Sequence, residues 1–416
     1  MKKIAVIGSG LLGCLTAYKI AKKFPKRQIF LIDNAKNILP SFKSVKINNL
    51  RFNNGFHALD IERSLNLYHF LKKKLKVTFK TIPTSRYLMI NENIIKENQK
   101  IIDYPNSLKK SFLKKKIITD DINLLYRSLS KKLQQLILNV SQRYSNNLKD
   151  NLKYFIPWFL PLEYYLKSKD EGDKYRNQIR IKKQQTLLAI PKNGLFESLG
   201  YYFEKKFKKI RNINLLTNTK VFFEKKKIIL KKNEKILDLN FSHIFFCTSS
   251  MIFISKKSKV YNDILYNKRY FVSCVVSSKS PTKINFSELL CLNKKFIEIS
   301  RISNINNNKK NNLYLIELTF KKSENLNKQL NKARMKDILK PIFFDNAKSL
   351  RIIDYKITRL VFFPKKNDIK KGIKLVEKFI RNISNKNNKV FCNISFGPIN
   401  MAKAWIASER NLKLLK

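Results

Sequence analysis

Acidic residues are scarce in this chain of 416 residues: 29 Asp and Glu stand against 87 Lys and Arg, a formal charge of +58. Glycine is scarcer still, at nine, with eleven prolines, five cysteines and three histidines. Each shortage excludes something. The five cysteines (Cys14, Cys247, Cys274, Cys291, Cys392) form no C-x-x-C pair and leave one thiol over in any pairing scheme. A disulfide scaffold is therefore excluded, and the thiols read as small buried hydrophobes in a reducing, cytoplasmic setting. His57, His69 and His243 never approach cysteines at ligand spacing, so no metal constellation is expected. G-x-S-x-G is absent, and no Ser-His-Asp arrangement is legible. Long apolar runs are missing as well. The stretch after Lys2 and Lys3 lasts only from Ile4 to Ile7 before Gly8 ends it, too short for a signal peptide. Nothing reaches the roughly 18 to 20 apolar residues that a spanning helix needs, which predicts a soluble or peripheral protein.

The positive charge invites a nucleic-acid reading, but Lys and Arg are spread along the whole chain, as at Lys72 to Lys74 and Lys205 to Lys209, without a dominant arm or a recognised motif. Richness in Lys, Asn, Ile and Phe with few Gly and Pro is the mark of an AT-rich coding sequence. No specific nucleic-acid partner is expected. The field still attracts a small anionic substrate and admits peripheral association with membranes.

A length of 416 residues exceeds what one core supports, so two connected domains are expected. Residues 3–8 read as a short apolar strand, 11–23 as a helix and 28–32 as a second strand, a β-α-β unit. Further helices are expected over 64–75, 121–138, 195–208, 369–382 and 400–415. Strands are expected over 186–190, 214–223, 227–231, 236–240, 244–247 and 389–393. The stretch 270–320 reads as β-rich, broken by a polar loop at 304–312.

Gly8, Gly10 and Gly13 spell G-S-G-L-L-G between the first strand and the first helix. The first glycine permits the tight turn, the second lets backbone approach a pyrophosphate, and the third lets helix and strand pack closely. Ser9, Leu11 and Leu12 belong to the same turn and helix N-terminus, whose amides and dipole suit phosphate. Asp33, with Asn34 beside it, ends the second strand twenty residues after Gly13, where a carboxylate accepts bonds from ribose hydroxyls. With so few glycines, this spacing arises by chance on the order of once in a few hundred such chains. A second dinucleotide fingerprint is absent, so a built-in NAD(P)H site is not expected.

From here the chain resembles the FAD-dependent amine oxidase and protoporphyrinogen oxidase superfamily, UDP-galactopyranose mutase-like relatives included. Asn53, Asn54, Gly55, Phe56 and His57 are similar to the segment that passes near the flavin. Ile190, Pro191, Lys192, Asn193, Gly194 and Leu195 resemble the family's turn before a helix. Residues 215–221 resemble the strand leading to the backbone that touches adenine, which places Val221 there. Residues 244–248 resemble the strand returning to the sheet, ending at Thr248. Residues 390–408 resemble the closing strand, turn and helix under the flavin ring, with Asn400 and Met401 at the helix N-terminus. The chain departs from the family at two places: residues 34–46 hold no glycine where a Gly-Gly-Arg turn is common, and Asn393, Ile394 and Ser395 offer no acid.

The resemblance implies an α/β fold, with a glutathione-reductase-like Rossmann domain for FAD assembled from residues 1–63, 185–255 and 383–416. An α+β substrate domain is implied over 64–184 and 256–382. It also implies an FAD-dependent oxidoreductase transferring hydride from a small substrate to flavin, with His57 as the catalytic candidate and Arg63 near it. Asp103, Tyr104 and Pro105 are similar to a Tyr-Pro signature of such relatives. Two other outcomes stay open. One is a mutase-like isomerase of nucleotide sugars, for which Arg86, Arg301 and Arg359 would have to converge on a diphosphate. The other is a basic binding protein that keeps the fold without turnover.

Overall fold

The structure is a computed structural model that describes residues 2–47, 50–53, 58–61, 64–90, 93–96, 186–224, 227–248, 266–282, 287–291, 298–308, 311–321, 330–343, 349–364, 374, 377–384, 388–392 and 401–415. The first strand and helix are β1 (Lys3–Ile7) and α1 (Leu11–Lys23), followed by β2 (Gln28–Ile32). The helix and the second strand keep the bounds expected from periodicity, and the first strand ends one residue earlier, at Ile7. Next come β3 (Ser44–Ile47), β4 (Leu50–Asn53), β5 (Leu59–Asp60), α2 (Leu65–Lys73), β6 (Phe79–Ile90) and β7 (Asn93–Lys96). The chain is described again at β8 (Thr186–Pro191), α3 (Ser198–Phe207), β9 (Ile213–Leu216), β10 (Thr219–Glu224), β11 (Lys227–Lys232), β12 (Lys235–Leu237) and β13 (His243–Phe246). The last elements are β14 (Tyr266–Ser278), β15 (Ser287–Cys291), β16 (Glu298–Asn308), β17 (Asn311–Lys321), α4 (Lys332–Leu339), β18 (Arg351–Pro364), β19 (Lys389–Cys392) and α5 (Met401–Lys413).

Five strands form a parallel sheet in the order β19, β13, β1, β2, β9, so distant segments of sequence become neighbours. Buried parallel strands are covered on both faces and alternate between two cores. Ile4, Val6, Ile29, Leu31 and Phe245 face one core with α1, α2, α3 and α5. Ala5, Ile7, Phe30, Ile32, Ile244 and Phe246 face the other, under the β10-β11-β12 meander and Phe379 and Ile383. A second, nine-stranded sheet, largely antiparallel with β15 and β6 running in parallel, carries its own core of Val272, Cys274, Tyr314, Ile316 and Leu318 against Met335 and Leu339 of α4. The architecture is thus the mixed α/β arrangement expected, with a Rossmann-like parallel sheet.

Three details differ from the sequence expectation. The run over 214–223 is two strands: β9 closes the parallel sheet, and β10 leaves it after Asn218, whose φ of 53° a small polar side chain tolerates better than most. The expected loop at 304–312 lies mostly in strands, because Asn306, Asn307 and Asn308 pair with Leu313, Asn312 and Asn311 in a hairpin. The long strand β18 was not anticipated. It pairs with β14 through two register shifts, which interrupt the alternation that periodicity relies on. Of the helix expected over 369–382, the described residues 377–383 are helical, and the one over 121–138 lies outside the described residues. No helix among the described residues is long and apolar enough to cross a membrane.

Candidate functional site

The site is built where β1 turns into α1. Gly8 adopts φ +100°, a left-handed conformation that costs glycine little. Its amide donates to the Ile32 carbonyl at 2.8 Å, tying the turn to β2. A Cβ at Gly8 would lie 3.0 Å from Thr248, two residues beyond the end of β13, so the returning chain closes directly over the turn. At Gly13 an added Cβ would meet the Gly8 carbonyl oxygen at 1.7 Å. The first and third glycines are therefore required by the protein's own packing.

Gly10 is different. It caps α1 with extended backbone (φ −63°, ψ 178°), and nothing lies within 4 Å of an added Cβ. Cys14 is the first residue of α1 bonded back to the turn, from its amide to the Gly10 carbonyl at 3.0 Å. The amides of Leu11, Leu12 and Gly13, in the helix's first turn, have no intrahelical partner. Space beside Gly10, free first-turn amides and the positive end of the helix dipole together fit a pyrophosphate.

Asp33 sits at the tip of β2, and its carboxylate grips the glycine turn. Oδ2 accepts from the Ser9 amide at 2.5 Å and from the Ser9 hydroxyl at 2.8 Å, while Oδ1 accepts from the Ala35 amide at 2.8 Å. A carboxylate has about four acceptor directions, so one on Oδ1 stays free for a ribose hydroxyl. Sequence reasoning missed this second duty, although a serine in the first x position of the motif was its signal. Asn34 is exposed beside it. The Asp33 carbonyl accepts from the Thr219 amide at 2.9 Å, which brings the start of β10, and Val221 two residues on, to this end of the sheet.

Residues 34–46 lack glycine, and the left-handed backbone in that segment falls on Leu39, at φ 54°. The Leu39 amide donates to the Ser9 carbonyl at 2.9 Å, so the turn is held from a second side. The buried thiol of Cys14 donates to the same carbonyl at 3.2 Å. Burial, and then the neighbouring Asp33 charge, push its pKa well up. Burial likewise raises Cys247, Cys274 and Cys392 to about 12, so these cysteines are packing residues and not nucleophiles.

Asn53 accepts from the Phe196 amide at 2.7 Å and donates to the Gly194 carbonyl at 2.9 Å, clamping the turn before α3 to β4. Glu197 beside it accepts from the Ser44 amide at 2.8 Å and pairs with Arg51 at 2.5 Å. Partial burial alone would raise the Glu197 pKa, but those partners outweigh it and hold the carboxyl below its usual value. Asn54, Gly55, His57, Arg63, Asp103, Tyr104, Pro105 and Asn400 lie outside the described residues.

The closing helix α5 lies against α1. Asn411 donates to Thr16 at 3.0 Å, and Lys19 donates to Ser408 at 2.8 Å and pairs with Glu409, so partners step back along α5 as α1 advances. Asn411 also reaches the Cys247 thiol at 3.6 Å, beside the glycine turn. The structure thus brings Gly8, Ser9, Gly10, Leu11, Leu12, Gly13, Asp33 and Thr248 together. Met401 it does not bring to this turn: half-buried, it opens α5 ten residues before Asn411.

A family model described as an NAD(P)-binding Rossmann-like domain matches residues 6–73. No curated protein matches the chain. Solved structures do. One, from Exiguobacterium sp. 255-15 and assigned as a protoporphyrinogen oxidase, shares 10% identity at a TM-score of 0.60, covering 100% of this chain and 98% of its own. A cyclohexylamine oxidase from Brevibacterium oxydans IH-35A shares 10% at 0.55 over 100% and 99%. A CLA-producing fatty acid isomerase from P. acnes shares 11% at 0.58 over 100% and 98%. With the parallel sheet and its glycine turn, these show that the chain shares the fold of those solved proteins.

Proposed function

We propose that the chain is an FAD-dependent oxidoreductase that takes hydride from a small substrate. The observation that carries this reading is the open space beside Gly10 at the N-terminus of α1, between two glycines that the fold itself demands. Bound FAD would supply the hydride-accepting ring, and the protein would supply orientation and electrostatics. The Leu11, Leu12 and Gly13 amides hold the pyrophosphate, and the free acceptor direction of Asp33 takes a ribose hydroxyl. Ser9 keeps that carboxylate aimed, and the Leu39 amide fixes Ser9 in turn. Thr248 closes the turn from the β13 side. Val221 is assigned to the adenine side, Asn400 and Met401 to the flavin end, and Asn54, Gly55 and His57 to the flavin face, with His57 as the acid-base candidate.

The purified protein is expected to be yellow, with flavin absorption bands. Gly10→Val is expected to lose the flavin while keeping the far-ultraviolet circular dichroism of the parent, since its Cβ has no atom of the described residues within 4 Å. Retained flavin in that variant would defeat the assignment. Because an isomerase shares the fold, the redox reading is tested separately. Anaerobic substrate must bleach the flavin, whereas turnover that requires pre-reduced flavin and leaves no net oxidation identifies isomerisation.

A further inference from the structure

The opposite end of the parallel sheet, where its strands begin, gathers cations. Residues 22–27 read K-K-F-P-K-R and residues 205–211 read K-K-F-K-K-I-R, four and five basic residues with no acid in either segment. The fold joins them. Asn212 donates its side-chain amide to the carbonyls of Ala21, Phe24 and Arg27 at 3.0 to 3.3 Å, and its own carbonyl accepts from the Ile29 amide at 2.8 Å. Backbone bonds continue the same edge: Gln28 to Lys2, Ser242 to Lys3 and Lys389 to Ser242. Three of the five parallel strands, β1, β2 and β19, start at or directly after a basic residue, and β9 starts two residues after Arg211.

These charges are not neutralised internally. Lys22, Lys23, Lys26, Lys208, Lys209 and Arg211 are exposed, and among the described residues none pairs with a carboxylate. One guanidinium nitrogen of Arg27, Nη1, is buried without a hydrogen-bond partner among those residues. His243, on the same edge, has its pKa lowered by burial and then by Arg27, Lys389 and Lys2.

The geometry points to this strand-entry pole as the face by which the protein docks on bilayers that carry anionic headgroups. A diffuse array of this kind suits the surface potential of such a bilayer, to which each basic residue contributes separately. It suits a nucleic acid less well, since single-strand binding relies on free aromatic faces. Here the Phe24 ring is covered by the Arg27 guanidinium at 4.5 Å, and Phe207 is buried. The glycine turn lies at the other end of the strands, so docking leaves the cofactor site clear.

The test uses the full chain with vesicles of phosphatidylcholine alone and with about 30 mol% phosphatidylserine, at about 0.1 M salt where surface charge still acts. Sedimentation is expected to show binding to the second kind only. The triple variant Lys208→Gln, Lys209→Gln, Arg211→Gln should bind on the order of 100-fold more weakly, at about a factor of five per charge. A second triple, Lys22→Gln, Lys23→Gln, Lys26→Gln, should show a similar loss. The control triple Lys220→Gln, Lys235→Gln, Lys336→Gln removes the same charge elsewhere and should change binding by less than about threefold. Circular dichroism checks that each variant is folded. Equal losses in all three triples would mean that net charge alone is read, and would overturn the proposal. So would absent binding by the parent, or tighter retention on duplex or single-stranded nucleic acid at the same salt.

Discussion

At Gly13 a single methyl group decides whether the turn exists. Its added carbon would fall inside the Gly8 carbonyl, and both partners are backbone, so neither can swing away. Gly13→Ala is expected to cost more than about 3 kcal/mol, read as a lowered unfolding midpoint in urea, whereas Gly10→Val should leave that midpoint within about 1 kcal/mol. The contrast separates a packing glycine from a ligand-facing one, which the motif alone does not. His243 gives a second residue-level outcome. Burial foremost, and then Arg27, Lys389 and Lys2, lower its pKa, so the unfolded chain takes up the proton first as pH falls. Stability contributed by the neutral ring is therefore lost below the unfolded value of about 6.5 and complete above it. Thermal unfolding between pH 5 and 8 is expected to show that slope, and His243→Gln should flatten it. Added salt should reduce the part due to the three cations and leave the part due to burial.

Helix α5 shows how far an element can be legible while its docking is not. Its extent follows from the apolar spacing of Ala404, Ala407 and Leu415, with the polar Ser408 and Asn411 buried on the same side. Nothing in that spacing says that Asn411 meets Thr16 and Cys247, or that Lys19 lies over the Trp405 ring at 3.4 Å. Polar groups buried between two helices are chosen by the partner, and the partner is almost 400 residues away in sequence. Asn411→Ala is expected to destabilise by about 1 to 3 kcal/mol, because Thr16 loses a buried bond that water cannot replace, and chemical denaturation measures it. The same limit explains the other elements. Strands β1 and β2 and helix α1 are read correctly because local period and tertiary role agree. The Asn-rich end of β16 reads as loop because its strand conformation is imposed by β17, and β18 is hidden by its bulges against β14. In the site, the three glycines and Asp33 were visible as a spaced motif. The Ser9 and Leu39 bonds that hold them were not, because each joins residues that only the folded turn makes neighbours.

At the scale of the molecule, the groups that would surround the ADP half of a cofactor come from well-separated stretches of sequence at one end of the parallel sheet: the glycine turn, the tip of β2, the start of β10 beyond the sheet, and Thr248 after β13. A ligand there stabilises the folded state only, by about 2.7 kcal/mol when present at a hundred times its dissociation constant. ADP lacks the flavin ring but has the pyrophosphate and ribose that these groups are suited to hold. ADP added to flavin-free protein is therefore expected to raise the unfolding temperature by a few degrees, and Gly10→Val to abolish the rise. Hydrogen exchange should locate the effect, slowing amides at Ser9, Leu11, Leu12, Gly13 and Thr248 and leaving the β14 to β17 core unchanged, since that sheet buries its own hydrophobic cluster with α4. Protection spread evenly over both sheets would mean that the nucleotide acts by general charge neutralisation of a chain carrying +58, and the specific site would lose its support.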